Sequence, residues 1–122
     1  MQKLKELEQK ENQIFVNAWQ NGFFYPTEFD QELNDIQREK IKVYKKKWGR
    51  AYGVRINEGK PMEMIRGKAK NFSFDAIVPV RNKKLIELIL EYRKADIKES
   101  YNLIDKIVSL VEKLGGDILH WV

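Results

Sequence analysis

The chain reads as an α+β domain in which about four helices cover a small antiparallel sheet of three to four strands, in the order ααβββααβ. Three observations predict it. Apolar residues recur at helical spacing over residues 2 to 47 and again over 82 to 114. Between those stretches the period drops to two, as in Tyr52, Val54 and Ile56. Turn formers stand where the period changes: Asn21-Gly22, Gly49, Asn57 to Pro61, and Gly115-Gly116. With 122 residues, no repeat and no linker rich in Gly, Ser or Pro, residues 1–122 are expected to form a single domain large enough for its own core.

Each element follows from local pattern. Leu4, Leu7, Ile14, Phe15 and Ala18 share one side of a first helix over residues 2 to 20, with Glu11 interrupting the stripe. That stripe is narrow enough for a coiled-coil seam, so this helix either packs on its own domain or pairs two copies as a homodimer. Thr27 and Asp30 resemble a capping box and start a second helix that runs to about Lys47, with Phe29, Leu33, Ile36, Val43, Tyr44 and Trp48 inward. Residues 51 to 66 then predict a hairpin turning at Asn57 to Pro61, with Met62, Met64 and Ile65 in its return strand. Residues 72 to 80 predict a third strand. Leu85, Leu88, Ile89 and Tyr92 mark a third helix, widened by Ile86 and Leu90. Asp96 caps a fourth, whose stripe is Ile97, Tyr101, Ile104, Ile107, Val108, Val111 and Leu114. Gly115-Gly116 stops it, and the closing DILHWV is either a last strand or a packed tail. The helices are expected on one face of the sheet.

Composition narrows the function. The chain has no Cys, which removes disulfides, thiolate chemistry and Cys-based zinc sites. The N-terminal MQKLKELEQKENQ lacks the apolar core of a secretory signal, and no apolar run approaches the roughly 20 residues that cross a bilayer. These features predict a cytoplasmic protein without a membrane span. The net charge of +5 is unevenly spread: residues 1 to 30 sum to −2, residues 31 to 70 to +7, and the remainder to zero. Such asymmetry suits a phosphate backbone or an acidic protein partner.

Placed on the predicted elements, Arg38, Lys42, Lys45 and Lys46 form one stripe on the water side of the second helix. Arg50, Arg55, Lys60, Arg66, Lys68 and Lys70 would extend it over the hairpin into a continuous basic surface for nucleic acid, DNA or RNA. Trp48 and Tyr52 would add base stacking if exposed, yet both fit the inward stripes, and Trp48 is expected to be buried. What remains is a sequence-tolerant contact with phosphates. Lys47-Trp48-Gly49 followed by Gly53-Val54-Arg55-Ile56 resembles the first strand of the swapped-hairpin DNA-binding dimers of the AbrB and MazE type, over about ten residues. The match departs at Asn57, where that family has Pro, and no residue roles are carried over.

Two other classes compete. An enzyme has few groups to work with. His120 is the lone histidine and reads as an ordinary strand residue. Glu58-Gly59-Lys60 has the form of a Mg²⁺-dependent nuclease motif, with Asp35, Glu63 or Asp75 as a second carboxylate. Lys47, Arg50, Tyr52 and Arg55 would suit a toxin-like ribonuclease. No phosphate-binding glycine loop occurs, and no cofactor is implied. The third class is a protein-interaction module, an adaptor or inhibitor of the kind found on mobile elements, using the aromatics Trp19, Phe23, Phe24 and Tyr25 as a partner-binding patch. The alternative for those rings is to close the end of the core.

Overall fold

The computed structural model describes residues 2–20, 27–61 and 71–121, with 18–20, 27–30, 58–61 and 71–72 as backbone only. Helices α1 (Gln2–Gln20) and α2 (Thr27–Trp48) lead into strands β1 (Tyr52–Pro61) and β2 (Asn71–Val78). Helices α3 (Lys83–Lys94) and α4 (Ile97–Lys113) follow, and strand β3 (Asp117–Trp121) closes the chain. The described fold is therefore α+β, with β2 at the centre of an antiparallel sheet ordered β1-β2-β3.

The central strand determines the layering. Ala76, Ile77 and Val78 are consecutive and all buried. Ala76 and Val78 pack with Ile56 and the inner side of the α3–α4 hairpin, chiefly Leu85, Leu88, Ile89, Leu103, Ile107 and Val111. Ile77 packs instead with Leu119 and with Tyr44 of α2. Successive strand residues point to opposite faces, so α3–α4 cover one face of the sheet and α1–α2 the other. This corrects the expectation of a single covered face; an unbroken apolar run in a strand is the mark of burial on both sides.

β1 corrects the hairpin geometry. It runs on through Asn57 to Pro61, where turn formers predicted a reversal, and remains paired to β2 with register shifts after Arg55 and after Asn57. The first shift leaves Ile56 as an extra, fully buried residue. Asn57 Oδ1 accepts the Phe74 backbone N–H at 2.9 Å, so a turn-forming side chain here repairs the ladder at a bulge. The return strand expected at 62–65 lies outside the described residues.

The helix ends obey local chemistry. Asn82 Oδ1 accepts from the Leu85 N–H at 2.9 Å, and Asp96 Oδ1 from the Glu99 N–H at 2.8 Å, each capping a helix start. α4 ends in a paired-bond cap: Gly115 N–H donates to Glu112 O at 3.0 Å and Gly116 N–H to Val111 O at 2.9 Å. Within the hairpin the apolar stripes are narrower than their sequence pattern. Ile86, Leu90, Ile97 and Tyr101 are 41%, 47%, 78% and 68% exposed. The stripe of α4 that reaches the sheet is Leu103–Ile107–Val111, rotated away from the Ile97–Tyr101 line.

Between α1–α2 and the sheet the apolar contact is smaller, and a polar network adds to it. Lys40 Nζ, almost wholly buried, lies 3.1 Å from Glu11 Oε1 and 3.5 Å from Asp117 Oδ2. Gln37 Nε2 donates to Glu11 Oε2 at 2.5 Å, and the Tyr44 hydroxyl donates to Asp117 Oδ2 at 2.8 Å. Three further bonds lie at the sheet margins. On β3 the His120 backbone N–H donates to Gln37 Oε1 at 3.2 Å. On β1 Arg93 donates from Nε to Ile56 O at 3.4 Å and from its guanidinium Nη2 to Arg55 O.

Candidate nucleic-acid interface

α2 has two unlike sides. Ile36, Lys40 and Tyr44 follow each other at intervals of four and are buried toward α1 and the sheet. Arg38, Lys42, Lys45 and Lys46 occupy the opposite side and are exposed. Arg38 lies 2.7 Å from Asp35 and Lys42 lies 3.1 Å from Glu39, each one helical turn back. Exposed pairs of this kind contribute about 1 kcal/mol or less, so phosphate can displace the carboxylates. Toward the helix end the balance changes. Lys45, Lys46, Lys47 and Arg50 are exposed, and among the described residues none has an ion-pair partner. The three lysines fill the last turn of α2, where the carbonyl end of the helix dipole favours positive charge. Gly49, at φ 77, then lets the chain leave the helix.

The other sequence candidates are distributed differently. Arg55 points to the α1–α2 face of the sheet, where its Nε is 2.5 Å from Asp75 Oδ1. Asp75 also accepts the Trp121 indole N–H at 3.0 Å. Lys60 pairs with Phe72 near the far end of β1, about 25 Å from Tyr52 at the usual strand rise. Arg66, Lys68 and Lys70 lie outside the described residues, as do Phe23, Phe24 and Tyr25; Trp19 is described only as backbone in the last turn of α1. The described cations that come together are thus those of α2 and Arg50.

Among the described residues, the two rings near them are each half-buried and already in contact with a neighbour. Trp48 is half-buried and stacks on Tyr44, with ring centres 4.5 Å apart and planes at 20°. Tyr52 is half-buried on the α3–α4 side, with the Arg81 guanidinium 5.3 Å from its ring centre. Tyr52 and Arg55 therefore face opposite sides of the sheet, and the toxin-like grouping of Lys47, Arg50, Tyr52 and Arg55 does not converge. Of the carboxylates considered for a metal site, Asp35 and Asp75 are already paired, while the side chains of Glu58, Lys60 and Glu63 are outside the described set. Among the described residues no group of three or more His, Asp or Glu could hold a metal ion.

Two features escaped sequence reasoning. One is the buried Lys40–Glu11 pair. Its signal was present: Lys40 lies four residues from both Ile36 and Tyr44, and Glu11 lies in the apolar stripe of α1. Burial and the hydrogen bond to Asp117 push the Tyr44 hydroxyl pKa above its usual range, so it stays a donor. The other is Arg81, Lys83 and Lys84, exposed at the β2–α3 connection, whose position depends on strand register and not on spacing.

Comparison with family models, curated proteins and solved structures returns no match for this chain. Among the described residues no helix is long and apolar enough to cross a membrane.

Proposed function

We propose that this protein binds nucleic acid by its phosphate backbone, through the outer side and C-terminal end of α2. The observation that carries the reading is the run of exposed cations Lys45, Lys46, Lys47 and Arg50 without carboxylate partners among the described residues. A carbonyl helix end explains a preference for one or two of them; four in one place create a local field that attracts polyanions. Arg38 and Lys42 continue the stripe along α2. Contact with bases is not part of the reading, because Trp48 is occupied by Tyr44.

The test is fluorescence anisotropy of labelled DNA and RNA at several salt concentrations. Binding should weaken steeply with salt. Replacing Lys45, Lys46 and Lys47 together by Gln should flatten the log–log slope on duplex DNA by about 0.9 for each phosphate no longer neutralised, or about 2.7 if all three lysines engage. An unchanged slope in the triple variant would remove α2 from the interface. Absence of binding at low salt would point to an acidic protein as the partner of the same cations.

A further inference from the structure

The pairing of β1 with β2 brings a second group of cations to the end of α2. Tyr52 is the partner of Val78, so the connection leaving α2 and the connection entering α3 emerge at the same end of the sheet. Arg81 crosses over the Tyr52 ring and fastens the two connections together. Arg81, Lys83 and Lys84 are exposed and, among the described residues, lack ion-pair partners. The carboxylate at the same end of β3, Asp117, is turned inward to Tyr44 and Lys40. Because α2 and α3 lie on opposite faces of the sheet, this end of the molecule presents cations from both outer layers. With packed layers spaced about 10 Å apart, the two groups are on the order of 20 Å apart.

We propose that the ligand of this site is duplex nucleic acid, which straddles this end of the sheet and takes phosphate contacts from the end of α2 and from Arg81, Lys83 and Lys84 together. The inference rests on the nucleic-acid reading of α2 and deepens it by naming the ligand class. Single-strand sites need aromatic faces open to successive bases. Here the two rings adjoining the cations are engaged, Trp48 by Tyr44 and Tyr52 by Arg81. Cations on two packed layers, with no open stacking platform beside them among the described residues, match a stiff rod of phosphates, which in duplex DNA carries one charge per roughly 1.7 Å of axis.

The experiment titrates the full chain against a labelled 20-base-pair DNA duplex, the equivalent RNA duplex and the single strand of the same length. It compares wild type, the Lys45/Lys46/Lys47→Gln variant, and Arg81→Gln/Lys83→Gln/Lys84→Gln. Wild type should prefer one of the duplexes over the single strand by about tenfold, and which one identifies DNA or RNA. The Arg81/Lys83/Lys84 variant should lose about 2–3 units of salt slope on that duplex. Because Arg81 packs on Tyr52, Lys83→Gln/Lys84→Gln alone is measured alongside; it should lose about 2 units, with its urea midpoint unchanged. If the α2 variant loses binding while both α3 variants keep the wild-type slope, the straddling footprint is wrong and the α2 reading stands. Equal or tighter binding of the single strand overturns the duplex assignment. Failure of wild type to bind any of the three probes overturns both readings.

Discussion

Lys40 has 2% of its surface open to solvent, a position a lysine takes only with its charge matched. Glu11 and Asp117 match it, and their own partial exposure, at 11% and 27% of the side chain, moderates the cost of burial. Lys40→Met leaves Glu11 facing an apolar side chain, and should lower stability by about 3 kcal/mol in urea denaturation at pH 7. Adding Glu11→Leu should cost less than the sum of the single changes; strict additivity would show that the pair is not coupled. His120 is the neighbouring titratable group, its ring edge-on to Phe15 and Phe74. Burial holds its imidazole below the usual histidine range; Glu11 opposes this, Lys40 reinforces it and Asp117 opposes it. With the folded pKa depressed, the unfolded chain binds the proton more readily, so stability should fall as pH drops below about 6.5. Comparing urea midpoints of wild type and His120→Phe from pH 7.5 to 5 checks this, since the variant should lose that part of the slope. The reading of His120 as an ordinary strand residue was legible from its place between Leu119 and Trp121. Its dependence on Gln37, 83 residues away, was not.

Element ends were the most legible feature. The Asp96 cap, the Gly115-Gly116 stop and the break at Gly49 were all readable from residue type, because caps and left-handed turns are decided within a few residues. The turn expected at Asn57 to Pro61 was not realised, because two distant groups settled it: Phe74 bonds to the Asn57 side chain, and Arg93 bonds to the bulge carbonyls. Two glycines separate backbone conformation from close packing. At Gly49, with φ 77, an added Cβ meets nothing within 4 Å, so Gly49→Ala should cost only the left-handed penalty of about 1 kcal/mol. At Gly116 a Cβ would stand 2.3 Å from the Ile77 carbonyl oxygen and 2.8 Å from Val78 Cγ1. A sheet backbone cannot yield as a flexible side chain can, so Gly116→Ala should cost about 3 kcal/mol. Urea midpoints of the two variants give the order directly; equal losses would contradict it.

For the whole molecule, the class of fold could be read from period changes along the chain, and the water-facing stripe of α2 from helical spacing. Which faces of the sheet are covered, where Arg55 points and what stands beside Arg50 all depend on strand register, which local patterns specify weakly. The AIV run of β2 did carry the layering signal, since only a strand covered on both sides stays apolar through consecutive positions. The margins of that sheet have a bearing on how copies of the chain behave in a crowded solution. At the outer side of β1, Arg93 supplies donors to two carbonyls, and at the outer side of β3, Gln37 supplies an acceptor to an amide. A strand from another molecule would have to displace a charged side chain at one margin and break into a buried polar network at the other. The sheet is therefore guarded at both rims against growth into a longer ribbon, the route by which exposed strand edges lead to aggregation.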